Sequence, residues 1–174
     1  MRIAVTGTPG TGKTTATKLL AESDQFDPSL SVVHLNDVIR DEQLTEGYDE
    51  ERDSVIAGFD AVAEWLDEHD DILFESHLAH HFDADRVVVC RCHPEELERR
   101  LESRGESDSS RTENAESEAL DVILAEAVRE HGLESVYEIE TTDSAPEAVA
   151  SEIAAVVAGD REPSAGTVSY IDYL

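Results

Sequence analysis

Five short apolar runs punctuate the chain: RIAVT (2–6), SVVHL (31–35), DILFES (71–76), RVVVCRC (86–92) and VYEIE (136–140). Between them, apolar positions recur at helical spacing, so strands alternate with helices along the sequence. This order predicts an α/β fold, a five-stranded parallel sheet flanked by helices on both faces. The first helix runs from Lys13 to about Ser23. Asn36 or Asp37 is placed to cap a short helix through Arg40, and residues 55–68 carry a helical pattern. His93-Pro94 opens a helix to about Arg104, with proline in its first turn where the missing N–H costs nothing. A further helix spans about Thr112 to Glu130, and Pro146 to Val157 closes the series. GYDEERDS (47–54) reads as a loop. RGESDSSRTEN (104–114), polar and serine-rich, reads as a mobile segment between two helices. One domain over residues 1–158 is expected. Residues 159–174 fall outside the scheme. Their GTVSYIDYL alternates like a strand and either packs along the body or docks a partner.

The string GTPGTGKT follows the first strand without a gap, a full GxxxxGK[ST] phosphate-binding loop. Gly7, Gly10 and Gly12 permit backbone turns that a Cβ would obstruct, which lets successive amides and a helix N-terminus face phosphate oxygens. Lys13 is placed to reach the β and γ phosphates of ATP. Thr14 offers the hydroxyl that such loops use on Mg²⁺, and Thr15 a contact to an inner phosphate.

Charge adds the second large signal. Asp and Glu number 41 against 13 Lys and Arg, a formal net charge of −28, and Lys13 and Lys18 are the only lysines. Such self-repulsion opposes compaction in dilute buffer, but in molar salt the Debye length falls to about 3 Å. The composition therefore reads as adaptation to a salt-rich cytoplasm. Direct nucleic-acid binding is disfavoured because no basic patch exists to neutralise phosphates. No stretch approaches the roughly 20 apolar residues of a membrane span, and cytoplasmic residence is the expectation. Cys90 and Cys92 lie two apart on a strand and read as buried thiols. His80 and His81 with either cysteine match no common zinc spacing.

The phosphate loop at the start, the helical insertion after the second strand and the short polar lid resemble the nucleoside monophosphate kinases, which implies an acceptor insertion at about 30–53 and a lid at about 104–114. HLNDVIRDEQLTEGYDEERDS (34–54), FESHLAHHF (74–82) and RLESRG (100–105) are similar to the atypical adenylate kinase branch of archaea and eukaryotic nuclei. Ordinary adenylate kinases carry an Asp-Gly-x-Pro-Arg run after the third strand, whereas Glu75-Ser76-His77 stands here. The atypical branch has an acid and, two residues later, a histidine at that place. Glu75 departs from its usual Asp. The resemblance implies phosphoryl transfer from ATP to AMP with Mg²⁺ held by Thr14 and Glu75. It also implies ATP hydrolysis, and assistance to small ribosomal subunit maturation beside one small-subunit ribosomal protein.

The resemblance further assigns Arg40 to the acceptor phosphate and Arg104 to the donor phosphates, roles that suit arginine's planar fork. Arg40 alternatively pairs with neighbouring acids, and Arg104 alternatively serves as a helix C-terminal cation. Arg111 is a candidate closing clamp, while Arg99 and Arg100 neutralise acids of their own helix. His77, just past the third strand, either orients an attacking water or is a structural histidine. Two rival functions stay open. One is another small-molecule kinase of this fold, disfavoured because the insertion offers only Arg40 and Arg52. The other is an interaction protein in which nucleotide gates docking and phosphate transfer is vestigial.

Overall fold

Runs of β-branched residues with no polar face need cover on both sides, and the sheet has it. The computed structural model describes residues 1–51 and 54–174, so Arg52 and Asp53 of the expected loop lie outside the described residues. The strands are β1 (Arg2–Thr6), β2 (Ser31–His34), β3 (Thr45–Asp49), β4 (Ser54–Ala57), β5 (Ile72–Glu75), β6 (Arg86–Arg91) and β7 (Val136–Glu140). The helices are α1 (Lys13–Ala21), α2 (Leu35–Asp41), α3 (Phe59–Asp67), α4 (Pro94–Ser103), α5 (Asp108–Ala119), α6 (Val122–His131) and α7 (Pro146–Ala158). Five strands form one sheet in the order β2-β5-β1-β6-β7, with every neighbouring pair parallel. This is the predicted sheet.

Alternate residues along each strand serve opposite faces. Ile3, Val5, Leu73, Val88 and Cys90 pack with Leu20 of α1 and Ile153 of α7. Ala4, Phe74, Val87 and Val89 pack with Leu35 of α2, Leu66 of α3 and Leu124 of α6. Both faces are closed, and the strand ends are left to carry chemistry.

Several local expectations need correction. Of the loop expected at 47–54, Gly47, Tyr48 and Asp49 belong to β3 and Ser54 to β4, an antiparallel pair, and helix α3 starts only at Phe59. Gly58 makes the switch: its N–H donates to Leu44 O at 2.9 Å, and a Cβ there would lie 3.2 Å from Glu46 Cγ. Helix α2 begins at Leu35, ahead of the expected caps, and the Asn36 carboxamide instead accepts from Ser76 Oγ at 2.8 Å. Helix α5 starts at Asp108, inside the segment read as non-helical, because Ser107 caps it by accepting from Ser110 N. The helix expected over 112–130 is broken at Asp121, which takes a left-handed conformation with φ 56°. The tail forms no strand. It runs along the body, with Ser164 N donating to Val136 O at 3.1 Å and Tyr170 buried.

The break at Asp121 has an electrostatic cause. Arg91, at the end of β6, is 1% exposed, and its guanidinium meets Glu118 at 2.8 Å, Glu138 at 2.5 Å and the Asp121 carboxylate. It also donates to Glu118 O at 3.2 Å, so the end of α5 folds around it. Burial alone would loosen the guanidinium's proton, but Glu118 and Asp121 more than offset it and its pKa is raised. Glu118 accepts in addition from Thr8 Oγ1 at 2.6 Å, in the phosphate loop, and from Cys92 N at 3.1 Å. Glu138 accepts from Thr167 N at 2.6 Å, in the tail. One cation thereby joins loop, helix and tail.

Arg91→Met would leave Glu118 and Glu138 buried without their counter-ion, and is expected to destabilise the protein by about 3–5 kcal/mol. Urea unfolding in molar KCl checks this, and a change below the resolution of the transition would refute the network's role. Burial pushes the thiols of Cys90 and Cys92 up to about 12 and about 11, so neither is thiolate at neutral pH. Mass spectrometry after maleimide exposure should find both unlabelled in the folded protein and labelled in urea.

Candidate active site

Parallel strands end on one side, and the residues that follow them gather there. Three segments meet in this way: the glycine turn after β1, the Ser76–His81 stretch after β5, and His34 at the end of β2. The turn tolerates no side chain at its tightest points. Gly7 has φ 144°, and a Cβ on it would stand 2.5 Å from Cys90 O. Gly10 has φ 94° and presses on Leu97 and Leu101 of α4, where a Cβ would come within 2.8 Å of Leu97 Cδ1. Gly12 precedes α1 with no capping side chain, so the amides of its first turn are left for an anion.

Lys13 is buried, and its Nζ donates to Thr8 O at 3.3 Å. Burial lowers its pKa, Glu75 opposes that shift, and the charge of Arg104 adds to it. An ammonium so poorly compensated gains from the arrival of a polyanion. Beside it, Thr14 Oγ1 donates to Glu75 Oε1 at 3.0 Å, and Glu75 Oε2 faces His34 Nδ1 at 3.0 Å. The register of the parallel strands sets this contact, since His34 and Glu75 are direct partners across β2 and β5. A hydroxyl and a carboxylate side by side are hard oxygen donors, and they fit Mg²⁺.

His77 borders two cavities. The larger, about 800 Å³, is lined by Thr8, Pro9, His77, Arg104, Ser107 and Asn114. The second, about 620 Å³, is lined by Asn36, Ile39, Arg40, Val55, Ala57 and His77, and its surface is mostly apolar. Burial and then the Lys13 ammonium lower the His77 pKa to about 4, so its ring is neutral at neutral pH. Its carbonyl accepts from Thr6 Oγ1 at 3.3 Å.

Lys13, Thr14, Glu75 and His77 therefore share one place, with Arg104 and Arg40 at the edges of the two cavities. Arg40 is exposed and pairs with Asp37 at 2.9 Å and Asp41 at 3.3 Å, which raises its pKa. Thr15 is exposed on the first turn of α1. Arg111 borders neither large cavity and is engaged with Asp108 and Glu102 on the outer side of α5. Arg99 and Arg100 both meet Glu96, as expected, and Arg100 also donates to Thr141 O and Thr142 O at 2.9 Å. Sequence reasoning missed His34, Thr8 and Glu118. His34 had a usable signal, since it ends a strand at the level where Glu75 ends its neighbour.

A family model described as an AAA domain matches residues 3–121. A protein of Natronomonas pharaonis named "Putative adenylate kinase" is 58% identical over 174 residues, with 100% of both chains covered. The chain belongs to this family. A Halobacterium salinarum member with the same printed name is 57% identical over 175 residues, again covering 100% of both chains. Shikimate kinase from Acinetobacter baumannii, solved in complex with shikimate, superposes with a TM-score of 0.60 at 18% identity, covering 92% of this chain and 94% of its own. At that identity the likeness is one of fold, and the fold is that of the P-loop kinases.

Gly7→Ala and Gly166→Ala separate the loop's close packing from simple backbone strain. Both glycines have positive φ, but a Cβ at Gly166 meets nothing within 4 Å. Gly166→Ala should cost about 1 kcal/mol and leave ATP binding intact. Gly7→Ala should cost more and abolish the heat of ATP titration in a calorimeter.

Proposed function

We propose that this P-loop kinase is a Mg²⁺-dependent adenylate kinase, forming two ADP from ATP and AMP, with ATPase activity as well. The observation that carries the reading is His77 at the junction of the two cavities, one beside the phosphate loop and the other walled by Ile39, Val55 and Ala57. ATP would occupy the first, with its phosphates on the glycine turn, Lys13 and Arg104. The apolar walls of the second suit a purine, and Arg40 offers a planar fork to its single phosphate. Arg40's present partners are exposed carboxylates, so exchanging them for a phosphate costs little.

Thr14 and Glu75 would hold Mg²⁺, which when bound neutralises charge on the β and γ phosphates. Lys13 adds a cation that needs no reorganisation, and the glycine amides fix the donor in line with the acceptor. His77, neutral and next to Lys13, would orient the acceptor oxygen or, without AMP, a water. In this reading residues 30–53 form the acceptor insertion, residues 104–114 the lid that brings Arg104 onto the donor, and residues 159–174 a tail outside the kinase domain proper. The acidic surface supports operation in a salt-rich cytoplasm. It also favours a basic partner, for which a small-subunit ribosomal protein engaged during 16S rRNA maturation is the reading the family resemblance supports.

The test is ADP production by tag-free protein in molar KCl with MgATP, with and without AMP. ADP should form fastest with AMP present, and Lys13→Met should lower that rate by at least about 10²-fold. Silence with AMP but turnover with another acceptor would replace this reading with that of a different small-molecule kinase.

A further inference from the structure

Behind the phosphate loop, a second group of side chains converges that neither the glycine turn nor the cavities use. The 3₁₀ turn Ala79–His81 packs on α6, and His80 Nε2 stands 3.1 Å from Glu126 Oε2, with His81 Nε2 4.0 Å from the same oxygen. One ligand atom from each of the three lies within 4.8 Å of the others, and the two rings are 4.0 Å apart. The outward nitrogens are committed elsewhere. His81 Nδ1 meets Glu130 Oε1 at 3.0 Å, and His80 Nδ1 meets Thr6 Oγ1 at 2.9 Å. The Thr6 hydroxyl is also within 3.3 Å of His77 O, to which it can donate.

If the Thr6 proton goes to that carbonyl, His80 Nδ1 carries the proton of its own ring and donates to Thr6, leaving Nε2 bare. Glu130 fixes His81 in the same way, accepting a hydrogen bond from Nδ1–H and leaving Nε2 bare. Two imidazole lone pairs and a carboxylate oxygen then face one another with no proton between them, an arrangement that calls for a cation. Two histidines and one carboxylate are a ligand set that Zn²⁺ accepts in tetrahedral sites, with the fourth position open. A carboxylate or hydroxyl on the far ring nitrogen is the usual outer support of such ligands. His80 is buried, while His81 and Glu126 are 25% and 32% exposed, so the group opens to solvent on one side for the fourth ligand.

We infer that His80, His81 and Glu126 form a binding site for one divalent transition-metal ion of the Zn²⁺ class. The ion ties the turn after β5 to α6. Because that turn continues the Ser76–Leu78 stretch, and Thr6 adjoins Gly7, the site fixes the backbone that carries His77 and the start of the phosphate loop. The cysteines take no part, since both are buried thiols outside the group. Sequence spacing hides the site because Glu126 lies on a helix more than 40 positions beyond the histidines.

The test uses tag-free, chelator-treated protein in molar KCl with excess Mg²⁺, titrated with Zn²⁺ against a chelating indicator and with Co²⁺ by visible absorption. His81→Asn and Glu126→Gln change partly exposed groups, and circular dichroism verifies that each variant folds. The wild type should take up one Zn²⁺ equivalent, show the visible band of tetrahedral Co²⁺, and unfold at a higher temperature with Zn²⁺ present. Each variant should lose on the order of 10- to 100-fold in affinity together with the thermal shift. Equal uptake by wild type and both variants would place the ion on surface carboxylates, and a thiolate-to-cobalt charge-transfer band would place it on cysteine. Absence of uptake would mean that His80 and Glu126 share a proton only. Any of these three results overturns the inference.

Discussion

A single buried guanidinium, that of Arg91, holds together parts of the chain that otherwise have no reason to meet. Three carboxylates surround it, from the end of α5, the following bend and β7. Burying one positive charge among three negative ones is tolerable only because the remaining oxygens find donors. Glu118 takes the Thr8 hydroxyl and the Cys92 amide, and Glu138 takes the Thr167 amide and hydroxyl. The glycine turn's shape, the position of α5 over it and the course of the tail are therefore settled by one electrostatic cluster. The cluster also places a charged group of the helix that borders the larger cavity directly on the loop beneath that cavity, so movement of one is felt by the other.

The sheet supplies a second constraint. Parallel pairing sets β2, β5 and β1 to end level with each other, and the last residues of β2 and β5, His34 and Glu75, stand opposite. Thr14 reaches the same carboxylate from the first turn of α1. Glu75 is thus oriented from two sides, and its longer side chain, compared with the Asp usual at this place in the resembling branch, is held by packing and hydrogen bonds. A residue substitution that looks awkward on a sequence is accommodated once its neighbours are counted.

Most of the frame was legible because it depends on local periodicity. Apolar runs gave the five sheet strands, and the glycine string marked the phosphate loop with its lysine and threonines. What escaped depends on distant partners. The β3–β4 hairpin is polar on much of its surface and lacks the alternation that announces a half-buried strand. The break at Asp121 has no helix-breaking residue, because Arg91, thirty positions earlier, causes it. Tyr170 alternates with apolar neighbours as a strand residue would, yet it is buried beside Arg91 and His93 in an irregular segment. For the candidate site, motif and strand end name Lys13, Thr14, Glu75 and His77 as candidates, and the structure brings them together, while His34 and Glu118 required the register and the third dimension.

The scarcity of cations makes their placement informative. Among the described residues, Arg2, Arg86, Arg91, Arg99, Arg100, Arg111, Arg129 and Arg161 are all engaged by carboxylates or backbone carbonyls. Among the described residues, Arg104 lines the first large cavity, and Arg40, paired only with the exposed Asp37 and Asp41, lines the second. In a chain of net charge −28, an anionic substrate meets a repulsive field over most of the surface, and these two groups, Lys13 and the loop amides oppose it locally. In molar salt the distant repulsion would be screened over about 3 Å, whereas contacts within the partly enclosed cavities would be screened less. The acidic surface and a phosphate-binding centre are thereby compatible in one small domain, and the contrast between them narrows where a polyphosphate can settle.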